Sequence, residues 1–278
     1  MNIFLSITGG ILFVVLIAYP LLIIPRMFRR PDYSPFMDLY VAHRGLHNNK
    51  GEAPENSCLA FKKAIEAGYG IELDIQLSKD KIPVVFHDYT LKRVCGREGR
   101  VEDYTFKELH QMSLMGSKET IPSFEQVLEL VDGRVPLIIE LKIEHTDLSL
   151  CQIALEYLKK YKGVYCIESF NPLGLRWFKR NDKRIIRGQL SSDFMKDKED
   201  GNKVLYWLLS RLLLNFLSKP DFIAYRYKHP HMTSLAIVRE LYQLPTAAWT
   251  IQNQKMLEES KPYFKTFIFD SFIPDEKN

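Results

Sequence analysis

Ile71-Glu-Leu-Asp-Ile-Gln-Leu-Ser-Lys-Asp-Lys-Ile-Pro-Val-Val-Phe-His-Asp88 is the stretch on which the fold turns. Two apolar runs of strand character, Ile71–Leu77 and Ile82–His87, are separated only by Ser78-Lys79-Asp80-Lys81. Parallel neighbours need a crossover of a dozen or more residues, so this pair must be an antiparallel hairpin. Glu72 and Asp74 stand two apart on the first run, which points both carboxylates to one face. Charges set among apolar neighbours are costly unless they pair or hold a metal.

Outward from the hairpin, strands and helices alternate. Strand candidates are Leu39–His43, Ile71–Leu77, Val135–Ile143, Val164–Phe170, Arg184–Leu190, Asp221–Tyr227, Thr246–Ile251 and Thr266–Phe269. Helical periodicity marks Asn56–Ala67, Ser123–Val131, Thr146–Tyr161, Leu173–Asn181, Thr233–Tyr242 and Gln254–Ser260. Gly68 is a natural helix stop, and Ser-x-x-Gln at Ser123 is a capping box. Such repetition argues for a parallel sheet, and eight strands for a closed α/β barrel. The hairpin then projects from the carboxyl-end rim, opens an insertion running from about 78 to 122, and carries His87 back over the barrel mouth.

With 46% hydrophobic and 26% charged residues, the 278-residue chain reads as globular. A net charge of +4 without a concentrated basic tract gives no reason to expect nucleic acid as a partner. Cys58, Cys95, Cys151 and Cys166 are far apart and read as free thiols. The run Ile3–Ile24 carries no charge and is long enough for a hydrocarbon core of ~30 Å. Arg26, Arg29 and Arg30 follow it. The expectation is a transmembrane anchor over 1–25, a linker over 26–38 and a barrel over 39–278, with the catalytic domain on the cytoplasmic side of the cell membrane. Val204–Leu217 is apolar on nearly every side, which suits a buried barrel helix or one leaning on a membrane surface.

Two further polar islands interrupt strand-like runs, His43-Arg44-Gly45 and Glu140-Leu141-Lys142. In one barrel Glu72, Asp74, Glu140 and Lys142 converge on the interior near the carboxyl ends of the strands. Any one pair alone reads as a salt bridge. Three inward carboxylates together need a compensating cation, and their hard oxygens suit Mg²⁺ or Ca²⁺. His43 and His87 supply imidazoles for proton transfer, while Arg44 offers a planar fork and Lys142 a point charge for phosphate oxygens.

In their order along the chain, H-R-G, Pro54-Glu-Asn-Ser57, E-L-D, S-K-D…P-V-V-F-H-D and E-L-K resemble the glycerophosphodiester phosphodiesterase family. Ser169-Phe170 and Ala248-Trp249-Thr250 are similar to its weaker later motifs. The resemblance runs from about Leu39 to Asp275. It implies a distorted (β/α)8 TIM barrel in which His43 and His87 are the acid/base pair. Glu72, Asp74 and Glu140 then hold one divalent cation, Arg44 and Lys142 grip phosphate, and Trp249 and Phe170 wall the pocket. The implied reaction is hydrolysis of glycerophosphodiesters to glycerol 3-phosphate and an alcohol. The alternative is phospholipase D-like cleavage of lysophospholipids at the membrane. The chain departs from the family pattern at Gln252, where Asn is common, and in keeping only Asp270 and a displaced Pro274 of the closing Thr-Asp-x-Pro. Glu55 and Asn56 read as structural, with Asn56 as a helix cap.

Overall fold

A computed structural model describes residue 10 and residues 14–275. Eight parallel strands close into a barrel: β1 (Leu39–His43), β2 (Gly70–Leu77), β4 (Leu137–Leu141), β5 (Tyr165–Ser169), β6 (Ile186–Ser191), β7 (Phe222–Arg226), β8 (Thr246–Ile251) and β9 (Thr266–Phe269). Closure comes from β1, which pairs with both β2 and β9. The short strand β3 (Pro83–Val85) runs antiparallel to β2, with Ile75 opposite Val85 and Leu77 opposite Pro83. This is the hairpin that the four-residue turn required. β1 ends opposite Glu72, and β3 flanks β2 from Ile75 onward, so one long strand serves barrel and insertion in turn.

Local chemistry sets the helix ends. Ser57 caps Cys58–Ala67 by accepting from the Ala60 amide, and Gly68 closes that helix with a φ of 79°. Ser123 and Gln126 exchange reciprocal bonds of 2.9 and 3.1 Å at the start of Phe124–Val131. Strand parity separates two apolar cores. Outward residues such as Ala42, Leu73, Ile139 and Ile167 pack under the helices. Inward ones such as Val41, Ile138, Cys166, Phe222 and Ile268 fill the barrel. Gly188 is required in that inner layer, since a Cβ there would lie 2.1 Å from the Phe222 ring. The insertion has its own small core, including Val84, Phe86, Leu91, Val101, Leu109 and Ile121.

The expected membrane anchor is corrected here. Residues 3–9 and 11–13 of the apolar run lie outside the described residues. Among the described residues no helix is long and apolar enough to cross a membrane. The described end of the run is held on the barrel instead. Helix Tyr19–Ile23 stops before Pro25, Ile23 is fully buried, and Asn215 Nδ2 donates to the Ile23 carbonyl over 3.2 Å. Tyr242 Oη donates to the Pro20 carbonyl at 3.0 Å, and the Arg26 amide to the Pro220 carbonyl at 3.1 Å. The following residues plug the amino end of the barrel. Tyr33 and Phe36 are buried against the inner core, and Thr266 Oγ1 donates to the Phe36 carbonyl at 2.6 Å. The localisation expected from Ile3–Ile24 therefore falls, because the end of that run serves as packing.

Val204–Leu217 is also not one helix. It forms Lys203–Ser210 and Asn215–Ser218, with Leu209, Leu212 and Leu213 buried while Val204 and Trp207 are exposed. Arg211 stacks 4.7 Å over the exposed Trp207 ring.

Because Phe36 is fully buried in a rigid ring of strand residues, Phe36→Ala should cost about 3–5 kcal/mol. Chemical denaturation followed by circular dichroism checks this through the midpoint; an unmoved midpoint would mean that the plug does not stabilise the barrel.

Candidate active site

Register builds the site. His43 stands opposite Glu72 across β1 and β2, and Asp74, Glu140 and Glu168 form a row across β2, β4 and β5. All five point inward near the carboxyl ends of their strands. A cavity of about 90 Å³ is lined by His43, Arg44, Glu72, His87 and Glu140, with Glu168, Phe170 and Trp249 among its other walls. Lys142 and Asp74 adjoin this group: Lys142 Nζ lies 2.9 Å from Glu140 Oε1 and 3.7 Å from Asp74 Oδ1. All nine residues singled out in the sequence are thus gathered at one end of the barrel. Phe170 meets Trp249 edge-on with centroids 5.6 Å apart.

The electrostatics are those of crowded, buried carboxylates. Burial, then the neighbouring charges of Asp74 and Glu140, pushes Glu72 well above the ordinary range. Glu140 is raised by burial, against the pull of Lys142, and Glu168 is raised well above by burial and by Glu140. Asp74 goes the other way: burial would raise it, but His87, Lys142, Arg44 and a 2.9 Å bond from Asn56 Nδ2 hold it low. Oxygens of Glu72, Asp74 and Glu140 lie within 4.8 Å of one another. Asp74 Oδ1 is buried with no hydrogen-bond partner among the described residues. An all-oxygen, negatively charged set with an unfilled acceptor fits a hard divalent cation such as Mg²⁺ or Ca²⁺.

Both imidazoles are oriented by aspartates. His87 Nδ1 lies 2.6 Å from Asp88 Oδ1, and His43 Nδ1 lies 3.4 Å from Asp270 Oδ2. Burial, reinforced by the Arg44 charge, lowers His43 to about 4, so its ring is neutral near pH 7. Arg44 has left-handed backbone (φ 55°), its amide donates to Glu72 Oε2 at 3.1 Å, and its Nη1 donates to Glu55 at 2.7 Å. Glu55 also receives two bonds from Arg93, which in turn grips both oxygens of Asp88. A continuous chain, Asp74–Arg44–Glu55–Arg93–Asp88–His87, therefore ties the hairpin residue His87 to the barrel.

Glu55, read as structural, is the hub of that chain. Asn56 serves Asp74 while Ser57 takes the helix cap, contrary to the expectation for Asn56. Glu168 had a visible signal, a carboxylate inside the apolar run Tyr165–Ser169, with the same parity logic as Glu140. Arg93 had none, because its role depends on a contact across 38 residues, and Asp270 had only its place in the closing Thr-Asp-x-Pro pattern, which does not put it beside His43 across 227 residues.

Arg93→Ala should loosen the hairpin end without unfolding the barrel, seen as faster hydrogen exchange over residues 84–91 and little change in β5–β8. Burial would raise Glu55, but the bonds from Arg93 and the charge of Arg44 bring it down to about 2. A depressed carboxylate stabilises above its unfolded pKa and loses that contribution as pH falls through the folded one. The same segment should therefore lose protection between about pH 4.5 and 2 in the wild type. Equal protection in the variant, or none lost on acidification, would break the assignment.

The comparisons with known proteins agree with this geometry. Residues 43–275 match the model of the glycerophosphoryl diester phosphodiesterase family. A glycerophosphodiester phosphodiesterase of Bacillus altitudinis is 41% identical over 112 residues, covering 38% of this chain and 44% of the relative. One from Caldanaerobacter subterraneus subsp. tengcongensis is 36% identical over 164 residues, covering 55% and 66%. The matched stretches thus span about half to two thirds of these relatives. An Oleispira antarctica phosphodiesterase solved with the product sn-glycerol-3-phosphate superposes with a TM-score of 0.68 at 24% identity, over 85% of this chain and 94% of that one. A Thermotoga maritima glycerophosphodiester phosphodiesterase gives 0.64 at 24% identity, over 83% and 93%. These two likenesses establish a shared fold, and the family match over the entire barrel mouth goes further: this chain belongs to the glycerophosphoryl diester phosphodiesterase family.

Proposed function

We propose that this protein is a metal-dependent phosphodiesterase that hydrolyses glycerophosphodiesters to glycerol 3-phosphate and an alcohol. The observation that carries the proposal is the meeting of His43, His87 and the Glu72–Glu140 carboxylates around one small cavity. Glu72, Asp74 and Glu140 would hold the cation, which when bound neutralises charge on the phosphate and fixes its orientation. Lys142, charged and almost fully buried, adds a positive group beside the same oxygens. His43, neutral at pH 7, is suited to take the proton of the attacking hydroxyl. His87 keeps Nδ1 on Asp88, so Nε2 is the nitrogen left to protonate the departing alkoxide. Arg44 belongs first to Glu55 and Asp74, which makes it a brace of the carboxylates as well as a phosphate ligand. Trp249 and Phe170 form an apolar wall suited to carbon atoms of the substrate. The lysophospholipid alternative loses the anchor that had favoured it.

Release of sn-glycerol 3-phosphate from glycerophosphocholine should be lost on chelation and restored by Mg²⁺ or Ca²⁺. His43→Ala and His87→Ala should each lower kcat by about 10²–10⁴ with folding intact. Full activity in EDTA, or in either variant, would sink the proposal. Faster cleavage of lysophosphatidylcholine than of glycerophosphocholine would favour the alternative.

A further inference from the structure

A second cluster of donors lies back to back with the carboxylates. His47, in the loop after β1, and Asp270, just past β9, meet His43 from the side away from Glu72. Asp270 Oδ2 is 3.4 Å from His43 Nδ1, and its Oδ1 is 3.2 Å from His47 Nε2. One donor atom from each of the three residues lies within 4.8 Å of the other two. The His47 side chain is only 10% exposed, yet neither ring nitrogen has a partner in hydrogen-bonding geometry among the described residues.

These spacings have a metric meaning. Tetrahedral Zn²⁺ holds nitrogen and oxygen ligands at about 2.0–2.2 Å, so its ligand atoms stand roughly 3.3–3.5 Å apart. Asp270 already stands at nearly that distance from each imidazole, through Oδ2 to His43 and Oδ1 to His47, so closing one ligand triangle takes a turn of the Asp270 carboxylate together with one of His47. The His47 loop borders a cavity of about 540 Å³ lined by Asn48, Lys50, Phe272 and Ile273. That cavity leaves room for a water as fourth ligand. Donor chemistry separates the two clusters: two imidazoles and one carboxylate suit Zn²⁺, whereas three carboxylates suit Mg²⁺ or Ca²⁺.

We propose that His43, His47 and Asp270 form a second metal site, selective for Zn²⁺ and similar ions, whose occupation silences the enzyme. His43 belongs to both clusters. A metal on its Nδ1 leaves the ring proton on Nε2, so the imidazole can no longer accept a proton on the substrate side. Zn²⁺ displaces the Asp270 contact without touching the carboxylate site. The silencing rests on the proposed reaction; the binding does not.

Co²⁺ tests the site directly, because a tetrahedral nitrogen-ligated Co²⁺ absorbs visible light far more strongly than a six-coordinate oxygen-ligated one. Full-length protein saturated with Mg²⁺ should take up one strongly absorbing Co²⁺ per chain, displaced by Zn²⁺. His47→Ala and His47→Gln, folded by circular dichroism, should bind it at least about 10-fold more weakly. In glycerophosphocholine hydrolysis the same variants should keep their zinc-free activity and resist Zn²⁺ by a similar factor. An absent band, or one unchanged in both variants, overturns the site whether or not that substrate is cleaved. A normal band with equal zinc inhibition of wild type and variants overturns the silencing and puts the inhibitory ion on the carboxylates.

Discussion

Four carboxylates held on the inside of one barrel set the terms for everything else in this molecule. Glu72, Asp74, Glu140 and Glu168 are all nearly inaccessible to water, and strand register leaves them no freedom to separate. Like charges in such a place are tolerable only with protons or cations among them. The chain supplies two permanent cations, Arg44 and Lys142, each in contact with Asp74. The remaining negative charge is what the proposed divalent cation would neutralise. Imidazoles, hairpin and aromatic wall are arranged around that requirement.

The barrel delivers the carboxylates with rigid strands, but it delivers His87 with a hairpin. A short strand paired to the outer half of β2 is a less secure support than a closed barrel, and the ion chain through Glu55 and Arg93 compensates for it. Surface ion pairs contribute little, yet here Glu55 is buried and bonded by two guanidinium groups at once, which gives geometric definition more than bulk stability. A similar economy operates at the other end, where Tyr33 and Phe36 complete the inner core from outside the strand order.

The division between what was legible in the chain and what was not follows from the range of the interactions. Strand parity and the four-residue turn are local, so the convergence of Glu72, Asp74 and Glu140 and the return of His87 could be read from the residues. Thr246–Ile251 and Thr266–Phe269 even keep their expected limits. Glu168 was equally local, and only its weaker surroundings hid it. Asp270 beside His43, Arg93 beside Glu55 and Asn56 beside Asp74 are products of closure, which no spacing encodes. The apolar run at the amino end misled for the same reason. Hydropathy registers that Ile23 avoids water, but a crevice among the barrel's outer helices and a bilayer satisfy that preference alike, and Asn215 and Tyr242, which hold the segment, are roughly 200 residues away.

The central claim is that the buried carboxylates are built to hold one hard divalent cation. Calorimetric titration of chelator-treated protein with Mg²⁺ or Ca²⁺, alongside Glu72→Gln and Asp74→Asn, tests it most directly. One ion bound per chain, with a rise in Tm that both variants lack, is the result this account predicts. Absence of binding, or equal binding by the variants, would contradict it.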